Sequence, residues 1–315
     1  MTDTGEATIE RVRGYLVALQ QELCGALESE ERAQKFVLDP WQRSDGETVL
    51  RGGGTTAMLE GGTVFERAGV AFSDVSGAAM PPAATARNPH LAGRSFRAMG
   101  LSVVVHPRNP CVPTSHLNVR CFTAGEAWWF GGGFDLTPYL PFEDDVVCWH
   151  RAAEAACRPF NPRLYSLART ACDTYFFLPH RGEARGIGGL FFDDLNAATA
   201  HVGMPWEQCF EFLQSVAAQY RGAYVQIVQR RRGESYGERE RNYQLHRRGR
   251  YVEFNLVLDR GTLFGLQSGG RTEAVLMSLP PVARWTYASP DPQLDAMLLP
   301  YLTTLRGRDW LASSA

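Results

Sequence analysis

Near the start of the chain, apolar residues recur every three or four positions: Ile9, Val12, Leu16, Leu19, Leu23 and Leu27. This period puts them on one stripe and predicts an amphipathic helix from about Ala7 to Phe36. The pattern then shortens. Between Arg51 and Ala79 lie glycine-rich, strand-like pieces at Ala57–Leu59, Thr63–Phe65 and Gly69–Phe72. A proline-containing loop is expected at Pro81–Pro89. Strands are predicted at Ser102–His106, Ser115–Phe122 and Ala127–Phe130, the first two separated by Pro107, Pro110 and Pro113. Helical periodicity returns over Glu143–Cys157, Arg163–Phe177 and Trp206–Arg231, with a short apolar strand at Gly189–Asp193. Tyr251–Leu258 and Thr262–Leu266 read as a hairpin turning at Asp259–Gly261, and Val275–Leu279 as a last strand. Strands and helices intersperse without regular β-α-β alternation. The pattern predicts a single α+β domain built on a large, mostly antiparallel sheet.

Composition narrows the chemistry. The chain has 315 residues and a formal net charge of −2, so no global charge favours nucleic acid or membrane. Lys35 is the only lysine, so acidic ligands must be held by arginine, whose planar fork suits carboxylates. Seven irregularly spaced cysteines form no C-x-x-C pair, which argues against a disulfide framework, a zinc ribbon or an iron–sulfur cluster. They suit a reducing compartment, and with no apolar run long enough to span a bilayer the expected location is cytoplasmic. Gly52–Ala57 fits G-x-G-x-x-A but lacks the strand-to-helix context of a dinucleotide site, and no P-loop or G-x-S-x-G elbow exists. The chain therefore shows no familiar redox-cofactor site.

Ser115–Phe122 carries the sharpest signal. As a strand it alternates faces, so His116, Asn118 and Arg120 share one face and Leu117, Val119 and Cys121 the other. The first set lines up a proton-transfer group, an amide and a cation within about 14 Å. A solvated outer face would show the same alternation. Ser102 and His106 share a face in the same way. His106, His116, His150 and His180 are scattered, with no metal-site spacing. In Trp128–Tyr139 (WWFGGGFDLTPY), three glycines permit close ligand approach and Asp135 is a carboxylate in apolar surroundings. A tight turn with a capping aspartate is the alternative. The arginines of Glu238–Arg250 suggest RNA binding or interface salt bridges. Gly269-Gly270-Arg271 offers backbone N–H groups beside a guanidinium.

These stretches resemble the aerobic, oxygen-dependent coproporphyrinogen III oxidase family. The likeness runs from about Phe36 to Trp310 through GGTVFERAGV (61–70), LAGRSFRAMG (91–100), HPRNPCVPTSHLNVR (106–120), WWFGGGFDLTPY, HRGEARGIGGLFFDD (180–194), YGERERN (236–242) and RGRYVEFNLVLDRGTLFGLQSGGRTE. The resemblance implies a flat antiparallel sheet sandwiched between helices, in a homodimer. It implies oxidative decarboxylation of two propionates of coproporphyrinogen III to vinyl groups, giving protoporphyrinogen IX with O2 as oxidant and with no flavin, haem, NAD or Fe–S cluster. The reduced macrocycle would supply the electrons that cofactors usually carry. Position by position, it implies His116 as proton donor and Ser102, Asn118, Val119, Arg120, Gly269, Gly270 and Arg271 as substrate contacts. It also implies His106, His116, His150 and His180 as ligands of a divalent metal, manganese foremost. Residues 1–36 would be an N-terminal helix of the same domain, 37–315 the catalytic domain and 251–286 the dimerisation region. Asp135 is expected to gather pyrrole N–H groups and to share in catalysis. Alternatives are a histidine-metal oxygenase acting on another carboxylated aromatic, a non-catalytic tetrapyrrole carrier and an RNA-binding protein.

Overall fold

The computed structural model describes residues 3–43, 50–80, 91–267, 270–303 and 308–312. The expected loop at Pro81–Pro89 and Gly269 lie outside them. Seven strands form one antiparallel sheet in the order β1-β2-β3-β4-β5-β6-β9. They are β1 (Val37–Gln42), β2 (Leu50–Glu60), β3 (Phe65–Gly77), β4 (Phe96–Pro107), β5 (Thr114–Ala124), β6 (Ala127–Thr137) and β9 (Gly189–Leu195). A small hairpin of β7 (Phe177–Leu178) and β8 (Glu183–Ala184) stands apart. The sheet with its helices is the α+β architecture that the patterning predicts. Pro40 sits on edge strand β1, where a missing N–H is tolerated.

One face of the sheet is the main core. Leu101, Val103, Val105, Leu117, Val119 and Phe134 are fully buried there. Over them pack α1 (Asp3–Glu30), α2 (Glu143–Cys157), α3 (Leu164–Tyr175) and α4 (Trp206–Arg231). The six apolar residues of the N-terminal stripe are all buried, as their period demands. The helix ends at Glu30, earlier than the periodicity suggests. Glu31 leaves the helical path to accept N–H bonds from Thr63, Val64 and Phe65 at the β2–β3 turn.

The other face is covered only in part, by α5 (Glu238–Glu253), a π-helical stretch (Phe254–Leu258), α6 (Arg260–Gln267) and α7 (Thr272–Leu276). A final helix, α8 (Pro292–Thr303), completes the described chain. This region corrects the strand reading. Residues 251–267 are helical rather than a hairpin, and residues 272–276 form α7 rather than part of a strand. Tyr251, Phe254 and Asn255 are buried together, a helical spacing of three and four that overrides their β propensity. Met277 then lands on Gly69, whose missing side chain makes room for it.

Candidate active site

Sheet register assembles the site. Pairing Ser102 with Asn118 and Asn118 with Gly133 puts all three on one face. The next row holds Gly54, Ser73, Gly100, Arg120 and Gly131, paired strand to strand. These rows carry glycines and small polar residues, with the Trp41 ring against Gly54 and the Arg120–Asp193 pair against Gly131, so the stretch suited to a flat ligand lies around Gly100 and Ser102. A Cβ on Gly131 would sit 2.8 Å from Arg120 Nε and 2.9 Å from Asp193 Oδ1. Glycine there lets that pair rest against the sheet. Gly133 (φ +142) allows equally close approach of β9, since a Cβ would meet the Leu190 carbonyl at 2.0 Å.

One row toward the covered end, His116 pairs with Asp135 across β5–β6. His116 Nδ1 donates to Asp135 Oδ1 at 2.9 Å. Arg185 donates to the same carboxylate from Nη2 (2.7 Å) and Nε (2.9 Å), and from Nη1 to Asn255 (2.8 Å). The guanidinium lies 4.2–4.7 Å from the rings of Phe176, Tyr251 and Phe254. Burial pushes the Asp135 carboxyl up, but Arg185 and then His116 outweigh it and hold it below the usual carboxylate range. Asp135 therefore stays an anion, and His116 is fixed with its proton on Nδ1. Nε2 has no protein hydrogen-bond partner among the described residues, and the ring is about a fifth exposed.

Arg120 is held by two neighbours. Nη1 donates to Asn118 (2.6 Å) and Nη2 to Asp193 (2.8 Å). Arg260, from the start of α6, reaches the other Asp193 oxygen at 3.3 Å and lies over Tyr175. At the far end of the same face, Arg271 pairs with Asp39 at 2.6 Å. Asp39 is joined by register through Thr56, Ala71 and Ser102 to Asn118, four strand spacings or about 19 Å away.

The structure thus brings Ser102, His116, Asn118, Arg120 and Asp135 together, with Arg271 at the rim of the same face. It does not bring Val119 there. That side chain is fully buried on the core face, and its strand neighbours pair it from both sides. Gly270 donates its N–H to the Gly265 carbonyl, so that N–H is engaged within the chain and not in an anion nest.

The four histidines do not form a common ligand set. His106 is buried with Nε2 on the Ser278 carbonyl and Nδ1 on Thr114. His150 is buried with Nε2 on the Ile187 carbonyl and Nδ1 on Tyr165, stacked on Trp310. Burial keeps both neutral, His106 well below its ordinary value and His150 at about 3. His180 is largely exposed and bonds Glu253. Among the described residues no three His, Cys, Asp or Glu side chains are grouped to hold a metal. These donors do not fit the expected ion.

Arg185, Asp193, Asn255 and Arg260 escaped the sequence reading. An arginine inside Ala-Arg-Gly-Ile-Gly-Gly was the available signal for Arg185, because a cation in so apolar a stretch demands a buried carboxylate. Asn255 and Arg260 were hidden by the hairpin assignment. The arginines of Glu238–Arg250 bind carboxylates within the chain: Arg239 pairs with Asp291, Arg241 and Arg248 with Glu66, Arg247 and Arg250 with Glu183. A groove of about 890 Å³ between α2 and α4 lies on the opposite side of the sheet; Glu143, Asp144, Arg151 and Arg230 line it, without a histidine.

Fold and site together define an α+β protein whose sheet offers a carboxylate-held imidazole and arginines above a floor of glycines and small polar residues. Those groups suit a large anionic ligand and the transfer of a proton to or from it. The sequence matches the family model of coproporphyrinogen III oxidase over residues 11–310, and the chain belongs to that family. The family is one of oxidoreductases in porphyrin biosynthesis.

Proposed function

We propose that the protein carries out the oxidative decarboxylation of two propionates of coproporphyrinogen III, giving protoporphyrinogen IX with O2 as oxidant. Each propionate becomes a vinyl group as CO2 leaves and the β-carbon gives up a proton, and the two electrons released reduce O2, which takes up two protons to form H2O2. The observation that carries this reading is the register that sets His116, Asn118 and Arg120 on one face of β5 beside Ser102, over a floor of glycines and small polar residues.

In this reading the macrocycle lies over Gly100 and Ser102, against the Arg120–Asp193 pair that rests on Gly131, and Arg120 and Arg260 hold propionates. Arg271 serves acid arms on the opposite side. His116 moves the proton through Nε2, because Nδ1 is committed to Asp135. Asp135 holds that tautomer and orientation instead of gathering pyrrole N–H groups, since both its oxygens already accept bonds in a buried setting. No step is routed through a metal.

A homodimer is part of the proposal. Residues 251–286 expose Leu256, Val257, Val282 and Trp285, and edge strand β1 exposes Val37 and Leu38. Free thiols at all seven cysteines suit a reducing compartment such as the cytoplasm, and no helix among the described residues is long and apolar enough to cross a membrane.

The test is anaerobic delivery of coproporphyrinogen III followed by oxygen, with protoporphyrin fluorescence read after oxidation. Chelator-treated protein is run alongside. Product that forms only after oxygen, equally with and without chelator, is expected. Product without oxygen, or none with it, overturns the reading, and loss of turnover in chelator would restore a metal.

A further inference from the structure

Arg120 and Arg260 come from β5 and from the start of α6, yet they share one carboxylate, Asp193 on β9. The backbone is shaped to aim it there. The β6–β9 register shifts between Phe130 and Gly132, and Asp194 on the facing strand adopts a left-handed φ of 55°. Such a bulge re-aims a side chain at some backbone cost, the kind of irregularity that persists where a site needs it. The result places Asp193 Oδ1 against Gly131. Asp193 is mostly buried, whereas Arg260 is about half exposed and makes the longer bond. The carboxylate thus lies on the site face, between the two guanidiniums that a ligand's acid groups would seek.

We propose that Asp193 is an internal counter-carboxylate, a positioning residue that competes with the ligand for Arg120 and Arg260. This rests on the porphyrinogen reading of the site. In the free protein Asp193 neutralises one of two positive charges. An arriving propionate displaces it, from Arg260 first, because that bond is longer and more open to water. When the propionate has left as CO2, the remaining vinyl group cannot bond a guanidinium, and Asp193 closes on the arginines again. The site therefore favours a ligand with the carboxylate over one without it by less than two bare arginines would, and it releases the decarboxylated product.

The experiment compares equilibrium binding of coproporphyrin, a tetracarboxylate, and protoporphyrin, a dicarboxylate, by fluorescence. The proteins are wild type, Asp193→Asn and Asp193→Glu. General electrostatic attraction grows with ligand charge and does not cancel in the ratio, so the ratio is read at high salt, where long-range attraction is screened and direct pairing with Arg120 and Arg260 persists. Asp193→Asn should raise the preference for the tetracarboxylate about tenfold, as expected for loss of one charge-assisted competitor. It should also lower KM for coproporphyrinogen without raising kcat. Asp193→Glu keeps the charge and should hold the ratio within about twofold of wild type. An unchanged or smaller ratio in Asp193→Asn overturns the inference. So does a raised ratio in Asp193→Glu, which decides the matter if the asparagine variant does not fold. Wild-type protein that neither binds coproporphyrin nor turns over its reduced form defeats the functional reading. Wild-type turnover with an unaltered Asp193→Asn ratio defeats this inference alone.

Discussion

The two faces of β5 are made from alternate residues of one strand, and they are built on opposite rules. Leu117, Val119 and Cys121 enter a core of large apolar side chains in which no volume is spare. His116, Asn118 and Arg120 stand above glycines and small polar residues, partly open to water. The core face is held by area and packing. The other is held by a few charged hydrogen bonds anchored at one buried guanidinium, Arg185. Errors on the first face should appear as lost stability, and errors on the second as lost chemistry. Asp135 is where the two meet, since it is both buried and part of the site.

That meeting point should give the largest effect. Asp135→Ala leaves Arg185 buried without its carboxylate and should cost about 3–5 kcal/mol of stability. Asp135→Asn keeps the shape and should fold, but lose turnover by about a hundredfold or more as His116 loses its fixed tautomer. Chemical denaturation beside steady-state rates checks both, and near-normal turnover in Asp135→Asn would contradict the role given to this carboxylate. On the core face, Leu117→Ala should cost about 2–5 kcal/mol by leaving a cavity. The rate per folded molecule should stay within about threefold, because a one-residue step along a strand changes which face is affected. A large rate loss without loss of stability would break the distinction between faces.

A smaller effect separates the histidines. His150 is neutral in the fold, with its value lowered from 6.5 to about 3 by burial. The unfolded chain takes up that proton first as pH falls, so the unfolded state gains relative stability. His150 therefore leaves stability unaffected above about pH 6.5 and reduces it progressively as pH falls toward 3. His106 acts in the same direction. Melting temperatures from about pH 7 down to pH 5 should fall more steeply for wild type than for His150→Gln. Identical slopes would show that His150 does not carry this dependence.

Much of this was legible in the sequence, and the misses share a cause. The long helix at 206–231 and the strand at 115–122 were readable because one side of each packs on a continuous apolar core, which imprints a period. The His116, Asn118 and Arg120 face followed from strand alternation alone. Asp135 could be noticed but not understood, because its partner Arg185 lies 50 residues further on. Residues 251–267 were misread because Tyr251 and Phe254 are buried against His106 and Arg185, and local propensity carries no record of such contacts. The metal reading of the histidines came from the family resemblance and not from their spacing. Only their surroundings show that His106 and His150 have both ring nitrogens engaged within the fold.

The central claim is that His116, held by Asp135, serves chemistry while the arginines serve binding. It is tested most directly by measuring, in one His116→Ala preparation, both turnover of coproporphyrinogen III and affinity for the unreactive coproporphyrin. The account predicts turnover reduced by about 10²–10⁴-fold with affinity within a few-fold of wild type. Wild-type turnover, or a loss of rate matched by an equal loss of affinity, would contradict it.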